Sequence, residues 1–244
     1  MEKKPYKILE EIFTNQINVL NIAVPTIPLS IESAKVSCLN NNYDIHLVQE
    51  PEKEDLVIYI RRLNSIRPLN DSEVISESTP ILDVVDALCT KEQLFIKVKR
   101  NITHLVTRSD LDAIQVRIWL FGMINLFEIE LKETINHLDM NWERLLSTKR
   151  IDKAKELFEL KKSRNEEIDL LGCIQFSDLG TILSNSWERF EKYFPPYLVK
   201  ENINSNFNKI NILRDAIAHG QKLQLEWSKI HELMQLISYS LGRI

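Results

Sequence analysis

The chain has 244 residues, of which 44% are hydrophobic and 27% are charged, and its formal net charge is -4. This composition suits one large globular domain or two small ones, and it excludes a polybasic nucleic-acid arm or an acidic tail. Only five residues are glycine, well below the usual ~7%. The sequence contains no glycine-rich phosphate loop, and the scarcity of glycine argues against propellers and Greek-key sandwiches and favours long helices.

The three cysteines, Cys38, Cys89 and Cys173, lack the short spacing of a zinc site. We therefore expect no metal site and a reduced, cytoplasmic chain in which the cysteines are small buried residues. The N-terminus carries charges where a signal peptide needs an apolar core, and the most apolar stretch, Ile118–Phe127, is too short to span a bilayer. No association with a membrane is expected.

An internal repeat occupies the first 110 residues. Residues 28–48 align with residues 79–99 at an offset of 51, which matches Cys38 with Cys89. Each copy predicts a short helix, a polar turn and a strand, followed by a loop and a second strand. The loop of the first copy is the charged segment at residues 50–55. Neither copy is large enough to bury a core alone, so we expect the two copies to pack face to face.

The second strand of the second copy, Thr103–Thr107, carries a family resemblance. It runs into Thr107-Arg108-Ser109-Asp110, which is similar to the Ser/Thr-x-x-Asp signature of CBS motifs, and the two copies together resemble a Bateman module. The resemblance implies that Asp110 bonds the ribose hydroxyls of a regulatory adenosine-type nucleotide (ATP, ADP or AMP), and that Thr107 bonds its phosphate or ribose. Alternatively, Asp110 or Ser109 only caps the following helix, and Thr107 is an ordinary strand residue.

The first copy departs from this signature. Its second strand, Leu56–Ile60, leads to Ile60 and Leu63 at the matching positions. We therefore expect at most one conventional nucleotide site. Arg61 and Arg62 could meet phosphates there, but two adjacent arginines more often form a solvated edge.

From residue 111 onward the apolar spacing becomes helical. The longest predicted helix extends from Leu111 to about Leu138, with an apolar face formed by Leu111, Ile114, Ile118, Phe121, Leu126 and Leu131. The later predicted helices are Trp142–Arg164, a short helix capped by Ser177 and Asp178, residues 198–218 and residues 225–241. The predicted fold class is α+β: a CBS-pair domain of two βαββα-like units at residues 1–110, then an all-α bundle of four or five helices at residues 111–244.

A second resemblance lies at the end of the helix predicted at residues 198–218. Arg214 and His219 form an Arg-x4-His motif, Asp215 directly follows the arginine, and Gly220 closes the segment. The segment is similar to the Arg-(Asn/Asp/His)-x-x-x-His signature of HEPN domains. The resemblance implies a homodimer in which two copies of the motif face each other and act on an RNA substrate, such as tRNA.

These residue types suit metal-independent RNA cleavage without a catalytic cofactor. His219 would act as general base or acid on the 2′-hydroxyl or the leaving 5′-oxygen, Arg214 would hold the scissile phosphate, and Asp215 would orient Arg214 or the substrate. Alternatively, His219 only ends a helix and Arg214 pairs with an acidic neighbour. Glu128 and Glu130 could line the same cleft, although a solvated helix face is the simpler interpretation.

Together the two halves predict a nucleotide-regulated endoribonuclease of a defence or toxin-type system, in which nucleotide binding gates cleavage. The alternative is a non-catalytic, nucleotide-binding adaptor or dimerisation protein.

Overall fold

The computed structural model describes residues 9, 11–41, 43–49 and 56–242 of the chain. The fold is mixed α+β and divides into two compact units: an N-terminal unit at residues 14–116, and a C-terminal unit that comprises the chain from Arg117 onward together with the described residues up to Phe13. The chain passes from one unit to the next within the first turn of a helix, shortly after the predicted boundary at residue 110. Among the described helices, none is both long and apolar enough to cross a membrane.

Short strands, two α-helices and several 3-10 turns make up the described part of the N-terminal unit; the strands and α-helices are numbered as follows. In chain order these elements are β1 (Val24–Pro25), α1 (Ile31–Asn40), β2 (Ile45–Gln49), β3 (Leu56–Ile60), β4 (Ser65–Pro68), β5 (Val74–Ser76), α2 (Ile81–Thr90), β6 (Gln93–Val98) and β7 (Asn101–Thr107). Ser30 caps α1, because its side chain accepts a hydrogen bond from the N–H of Ser33. The charged loop predicted at residues 50–55 lies outside the described residues.

The two repeats build sheets with the same strand order. In the first sheet β2 pairs antiparallel with β3, and β3 pairs with β4; in the second, β6 pairs antiparallel with β7, and β7 pairs with β1. Each sheet also has a parallel partner beside its first strand: a single bridge from Leu29 to Val48 in the first sheet, and β5 beside β6 in the second. β1 comes before the first repeat in the sequence, yet it completes the sheet of the second.

The helices define which residues of the repeats are equivalent. α1 and α2 both have ten residues and begin at Ile31 and Ile81, so their offset is one residue shorter than the sequence alignment indicates. At this offset the buried Cys38 matches the buried Leu88. The sequence alone could not select this register, because α2 buries the adjacent Val84 and Val85 and both registers therefore match apolar residues.

The two sheets share a buried core. Leu47 and Ile58 of the first sheet and Phe95 of the second form one cluster of buried side chains, and the most exposed of the three is 1% exposed. A separate cluster packs Ala34 and Cys38 of α1 against the strands of the first sheet. The repeats therefore bury apolar surface against each other, which neither could do alone.

The described part of the C-terminal unit is helical. Its α-helices are α3 (Ile114–His137), α4 (Thr148–Lys162), α5 (Phe176–Asn185), α6 (Trp187–Phe190), α7 (Lys200–Ala218) and α8 (Trp227–Leu241). The single helix predicted at Trp142–Arg164 is wrong: a 3-10 turn at Trp142–Leu145 precedes α4, because the backbone of Ser147 is extended. α5 is capped by Gln175, and the Asp178 carboxylate accepts a hydrogen bond from the Gln175 N–H.

α3 buries a different face from the predicted one. Leu126 and Leu131 are buried as expected, and so is Leu111 in the turn before α3. The exposed members of the predicted face are Ile114, Ile118 and Phe121. The residues buried instead are Val116, Trp119, Leu120, Met123, Ile124 and Phe127. The segment is apolar on nearly every side, so spacing alone could not identify the face that packs against the core.

Three phenylalanines connect α3, α5 and α7. The ring centroids of Phe127, Phe176 and Phe207 lie between 5.4 and 6.5 Å apart. α5 approaches α7 closely at Gly180, where a Cβ atom would lie 2.8 Å from Cβ of Phe207. This packing positions α7, whose last turn carries the Arg-x4-His motif.

Candidate functional sites

A large cavity lies in the N-terminal unit, and both repeats line it. Its volume is about 960 Å³, which is ample for a nucleotide-sized ligand. The first repeat contributes Asp44 and His46, and the second contributes Thr107 and Asp110. The two residues predicted to bind the nucleotide therefore lie in the wall of one cavity.

Thr107 and Asp110 also bond to each other. Thr107 ends β7 and is the N-cap of the 3-10 turn Arg108–Asp112. Asp110 Oδ2 accepts hydrogen bonds from the N–H of Thr107 at 2.7 Å and from its Oγ1 at 2.8 Å. Thr107, rather than Asp110 or Ser109, is therefore the N-cap residue, and Asp110 contributes to the cap as the other half of a capping box. Within the described residues, Asp110 Oδ1 has no hydrogen-bond partner, so one carboxylate oxygen is available to a ligand hydroxyl.

The described residues of the first repeat form no equivalent pair. Ile60 precedes the 3-10 turn Arg61–Leu63 without a side-chain cap. Arg61 donates Nη1 to the carbonyl of Cys38 at 3.2 Å and Nη2 to Asp44 Oδ1 at 2.8 Å. Arg62 is 66% exposed and lies 3.5 Å from Glu92. The expectation of a solvated edge therefore describes Arg62 but not Arg61.

Sequence reasoning missed a hydrogen-bonded network in the cavity wall. Arg67 of β4 donates two hydrogen bonds to the Glu73 carboxylate, at 2.6 and 2.7 Å, and Gln93 Nε2 donates to Glu73 Oε1 at 3.4 Å. The hydrogen bond from Arg67 holds the pKa of Glu73 below its ordinary value. Arg67 and Gln93 both line the cavity. β4 lies outside the two aligned segments of the sequence, so no residue of the other copy could indicate its role.

In the C-terminal unit, Arg214 lies in the last turn of α7 and faces α3. Its Nη2 is 3.8 Å from Glu128 Oε2, and its side chain remains 32% exposed. Lys132 Nζ donates to Glu128 Oε1 at 2.7 Å. The expectation of a solvated face is wrong for Glu128, which is largely buried, and for Glu130, which is buried. The predicted pairing of Arg214 with an acidic neighbour is confirmed.

His219 is the C-cap of α7. Its backbone N–H donates to the carbonyl of Asp215 at 3.1 Å, and Gly220 follows with a φ of 63°, which glycine adopts without strain. The imidazole is exposed, and no hydrogen bond to it occurs within the described residues. The Asp215 carboxylate accepts a hydrogen bond from Asn211 Nδ2 at 3.2 Å and makes no bond to Arg214.

The chain that follows the Arg-x4-His motif is hydrogen-bonded to α3. Arg117 Nη1 donates to the carbonyl of Gln221 at 2.7 Å. In the part of the chain that the structure describes, no group of three or more His, Cys, Asp and Glu side chains is arranged to hold a metal ion.

No protein-family model, curated protein or solved structure matches the chain.

Proposed function

We propose that the chain is a nucleotide-regulated, metal-independent endoribonuclease. Its N-terminal unit would be a CBS pair that binds an adenosine-type nucleotide, and its C-terminal unit would be a HEPN domain that cleaves RNA as a homodimer. The observation that carries the proposal lies at the end of α7. There Glu128 holds Arg214 while leaving the guanidinium partly exposed, and the exposed His219 imidazole follows within five residues.

The proposed reaction is a transesterification in which the 2′-oxygen displaces the 5′-oxygen from phosphorus. His219 of one copy removes the proton from the 2′-hydroxyl, the 2′-oxygen attacks phosphorus, and the bond from phosphorus to the 5′-oxygen breaks. A protonated His219 gives its proton to the departing oxygen, and Arg214 offsets the negative charge that develops on the phosphate. The products are a 2′,3′-cyclic phosphate and a 5′-hydroxyl. Apart from the phosphoryl group only protons move, so the chemistry requires neither a metal nor a cofactor.

A second copy would complete the site. Arg214 and His219 are five residues apart, which separates their directions by about 140° around the helix axis. The two side chains can therefore border one cleft but cannot close it. α3 carries exposed Ile118, Phe121 and Ile129 on the same helix as Glu128, and these apolar side chains support contact with another copy of the chain.

The regulatory half of the proposal is supported by the cavity in the N-terminal unit. Thr107 and Asp110 line it, and Asp110 Oδ1 can accept a hydrogen bond from a ribose hydroxyl. The 3-10 turn that contains Asp110 leads directly into α3, the helix that carries Glu128. A nucleotide that favours one conformation of this turn would thereby favour one state of the cleavage site.

The proposal is tested by incubating the purified chain with total RNA and with tRNA in the presence of EDTA. We expect cleavage products with 2′,3′-cyclic phosphate ends, and a loss of at least about 100-fold in rate for His219→Ala and Arg214→Ala. His137→Ala is the matched control, because His137 is another exposed histidine at the C-terminal end of a helix. Cleavage by His219→Ala at the rate of the unmodified chain would refute the mechanism.

A second candidate is a non-catalytic, nucleotide-binding adaptor. The ion pair between Arg214 and Glu128 favours this alternative, because it gives the arginine a structural partner. The adaptor hypothesis predicts nucleotide binding and dimerisation without RNA cleavage. The same RNA assay therefore separates the two candidates.

A further inference from the structure

The wall of the nucleotide cavity is electrically balanced. The charged side chains that the described residues contribute are three cations and three carboxylates: Arg62, Arg67, Arg108, Asp44, Glu92 and Asp110. Burial lowers the pKa of His46, which also lines the cavity, so this imidazole adds no positive charge at neutral pH.

Two of the three cations are already committed to the protein. Arg67 is bound by both oxygens of Glu73. Arg108 Nε donates to the carbonyls of Leu88 at 2.6 Å and Lys91 at 3.1 Å, and its Nη2 donates to the carbonyl of Cys89 at 3.3 Å. A phosphate would have to compete with these bonds for the N–H groups that make them, and the bonds restrict how either guanidinium can turn toward it.

The third cation, Arg62, is matched by a carboxylate from the other repeat. Arg62 lies in the turn after β3, and Glu92 lies immediately before β6. Their charged groups are 3.5 Å apart, and both side chains are about two-thirds exposed. Such an exposed pair is weak, so Arg62 is the cation that a phosphate could recruit most easily. Glu92 opposes that recruitment, because its negative charge remains beside any phosphate bound to Arg62.

We propose that the cavity selects adenine compounds of low charge, adenosine and AMP, over ADP and ATP, and that Glu92 sets this selection. The inference rests on the proposed nucleotide site and names its ligand class. Each additional phosphate brings negative charge beside guanidinium groups that already have partners, so it must either break an existing pair or lie against an uncompensated Glu92 carboxylate.

The test measures the affinities of adenosine, AMP and ATP for the full chain by calorimetry without Mg²⁺, at low and high ionic strength. We expect ATP to bind at least about tenfold more weakly than AMP at low ionic strength. Glu92→Gln should tighten ATP binding about fivefold and leave adenosine binding unchanged. Arg62→Gln should weaken AMP and ATP binding. Glu32→Gln, which alters an exposed glutamate of α1 outside the cavity wall, is the control.

The outcomes separate this inference from the proposed function. If ATP binds the unmodified chain more tightly than adenosine, or if Glu92→Gln changes all three affinities equally, the selection by charge is refuted while the nucleotide site stands. If none of the three compounds binds, the nucleotide site is refuted and the selection with it. The RNA assay remains an independent test of cleavage in every case.

Discussion

Arg61 and Arg108 occupy the same place in the two repeats. Each begins the 3-10 turn that follows the second antiparallel strand of its repeat, and each donates to a carbonyl in the last turn of its repeat's helix. The acceptors are the carbonyls of Cys38 and Leu88, which are 50 residues apart, like the helices themselves. The arginine within the Thr107–Asp110 segment is therefore a structural cap for α2, although its position beside the candidate ribose site suggests a phosphate ligand.

Replacing Arg108 should destabilise the N-terminal unit. Arg108→Met leaves the three carbonyls at the end of α2 without their donor, which should lower the free energy of unfolding by about 1–3 kcal/mol. Arg108→Lys should restore little of this, because an ammonium cannot donate in the fork geometry of a guanidinium. Urea denaturation measures the effect, with the exposed Arg100 replaced by Met as the control. Equal stability of the two methionine variants would contradict the structural role.

The carboxylate of Glu73 should make stability depend on pH. The hydrogen bond from Arg67 lowers the pKa of folded Glu73 below its ordinary value of 4.5. The unfolded chain therefore binds the proton more tightly, and stability contributed by this group is complete above about pH 4.5. It is lost as the pH falls through the lowered pKa of the folded state. Glu73→Gln should flatten the acid limb of a plot of unfolding free energy against pH, and Glu32→Gln should leave it unchanged.

The contact between α5 and α7 predicts a cost for any side chain at Gly180. Its Cβ would lie 2.8 Å from Cβ of the buried Phe207, and the base of a packed side chain cannot move without the helix. We expect Gly180→Ala to lower the free energy of unfolding by about 1–3 kcal/mol, although alanine favours helices. Gly242→Ala is the matched control, because a Cβ there comes no closer than 3.7 Å to its neighbours. Thermal unfolding that shifts equally in both variants would argue against close packing at Gly180.

Glu128 should weaken RNA binding through Arg214. In a chain disabled by His219→Ala, Glu128→Gln removes the charge beside the guanidinium and should tighten RNA binding about two- to fivefold. The gain should disappear when Arg214→Ala is also present, because the two substitutions act on one contact. Filter binding measures both effects. A gain that persists without Arg214 would show that Glu128 acts on RNA by general repulsion instead.

The sequence was informative where local pattern determines structure. Period-two and helical spacing predicted α1, α2, the strands β2, β3, β6 and β7 and most of the C-terminal helices, and the end of α7 was correctly placed at Ala218. The short elements β1, β4, β5 and α6 were not predicted. The predicted buried face of α3 was wrong, because Trp119, Leu120 and Ile124 make the helix apolar beyond the predicted stripe. Partners distant in the sequence could not be predicted either: Arg117 donates to the carbonyl of Gln221, 104 residues later in the chain.

In the Arg-x4-His motif, the sequence located Arg214 and His219 at the end of a helix and anticipated an acidic partner for the arginine. It could not distinguish Glu128 from other carboxylates, because the contact depends on how α3 lies against α7. Asp215 was expected to orient Arg214 or the substrate, and its carboxylate bonds Asn211 one turn earlier in the same helix rather than Arg214. Such a local hydrogen bond competes with longer-range interactions wherever Asn and Asp lie four residues apart.

The pairing of β1 with β7 has a consequence for how the N-terminal unit reaches its native state. Val24 pairs with Leu105, about 80 residues later in the chain, and contacts between such distant segments slow folding. During synthesis, β1 leaves the ribosome long before its partner has been made. A truncated chain that stops after the first repeat lacks β7, and this strand pairing cannot form. The pairing is therefore completed only after most of the second repeat has been translated.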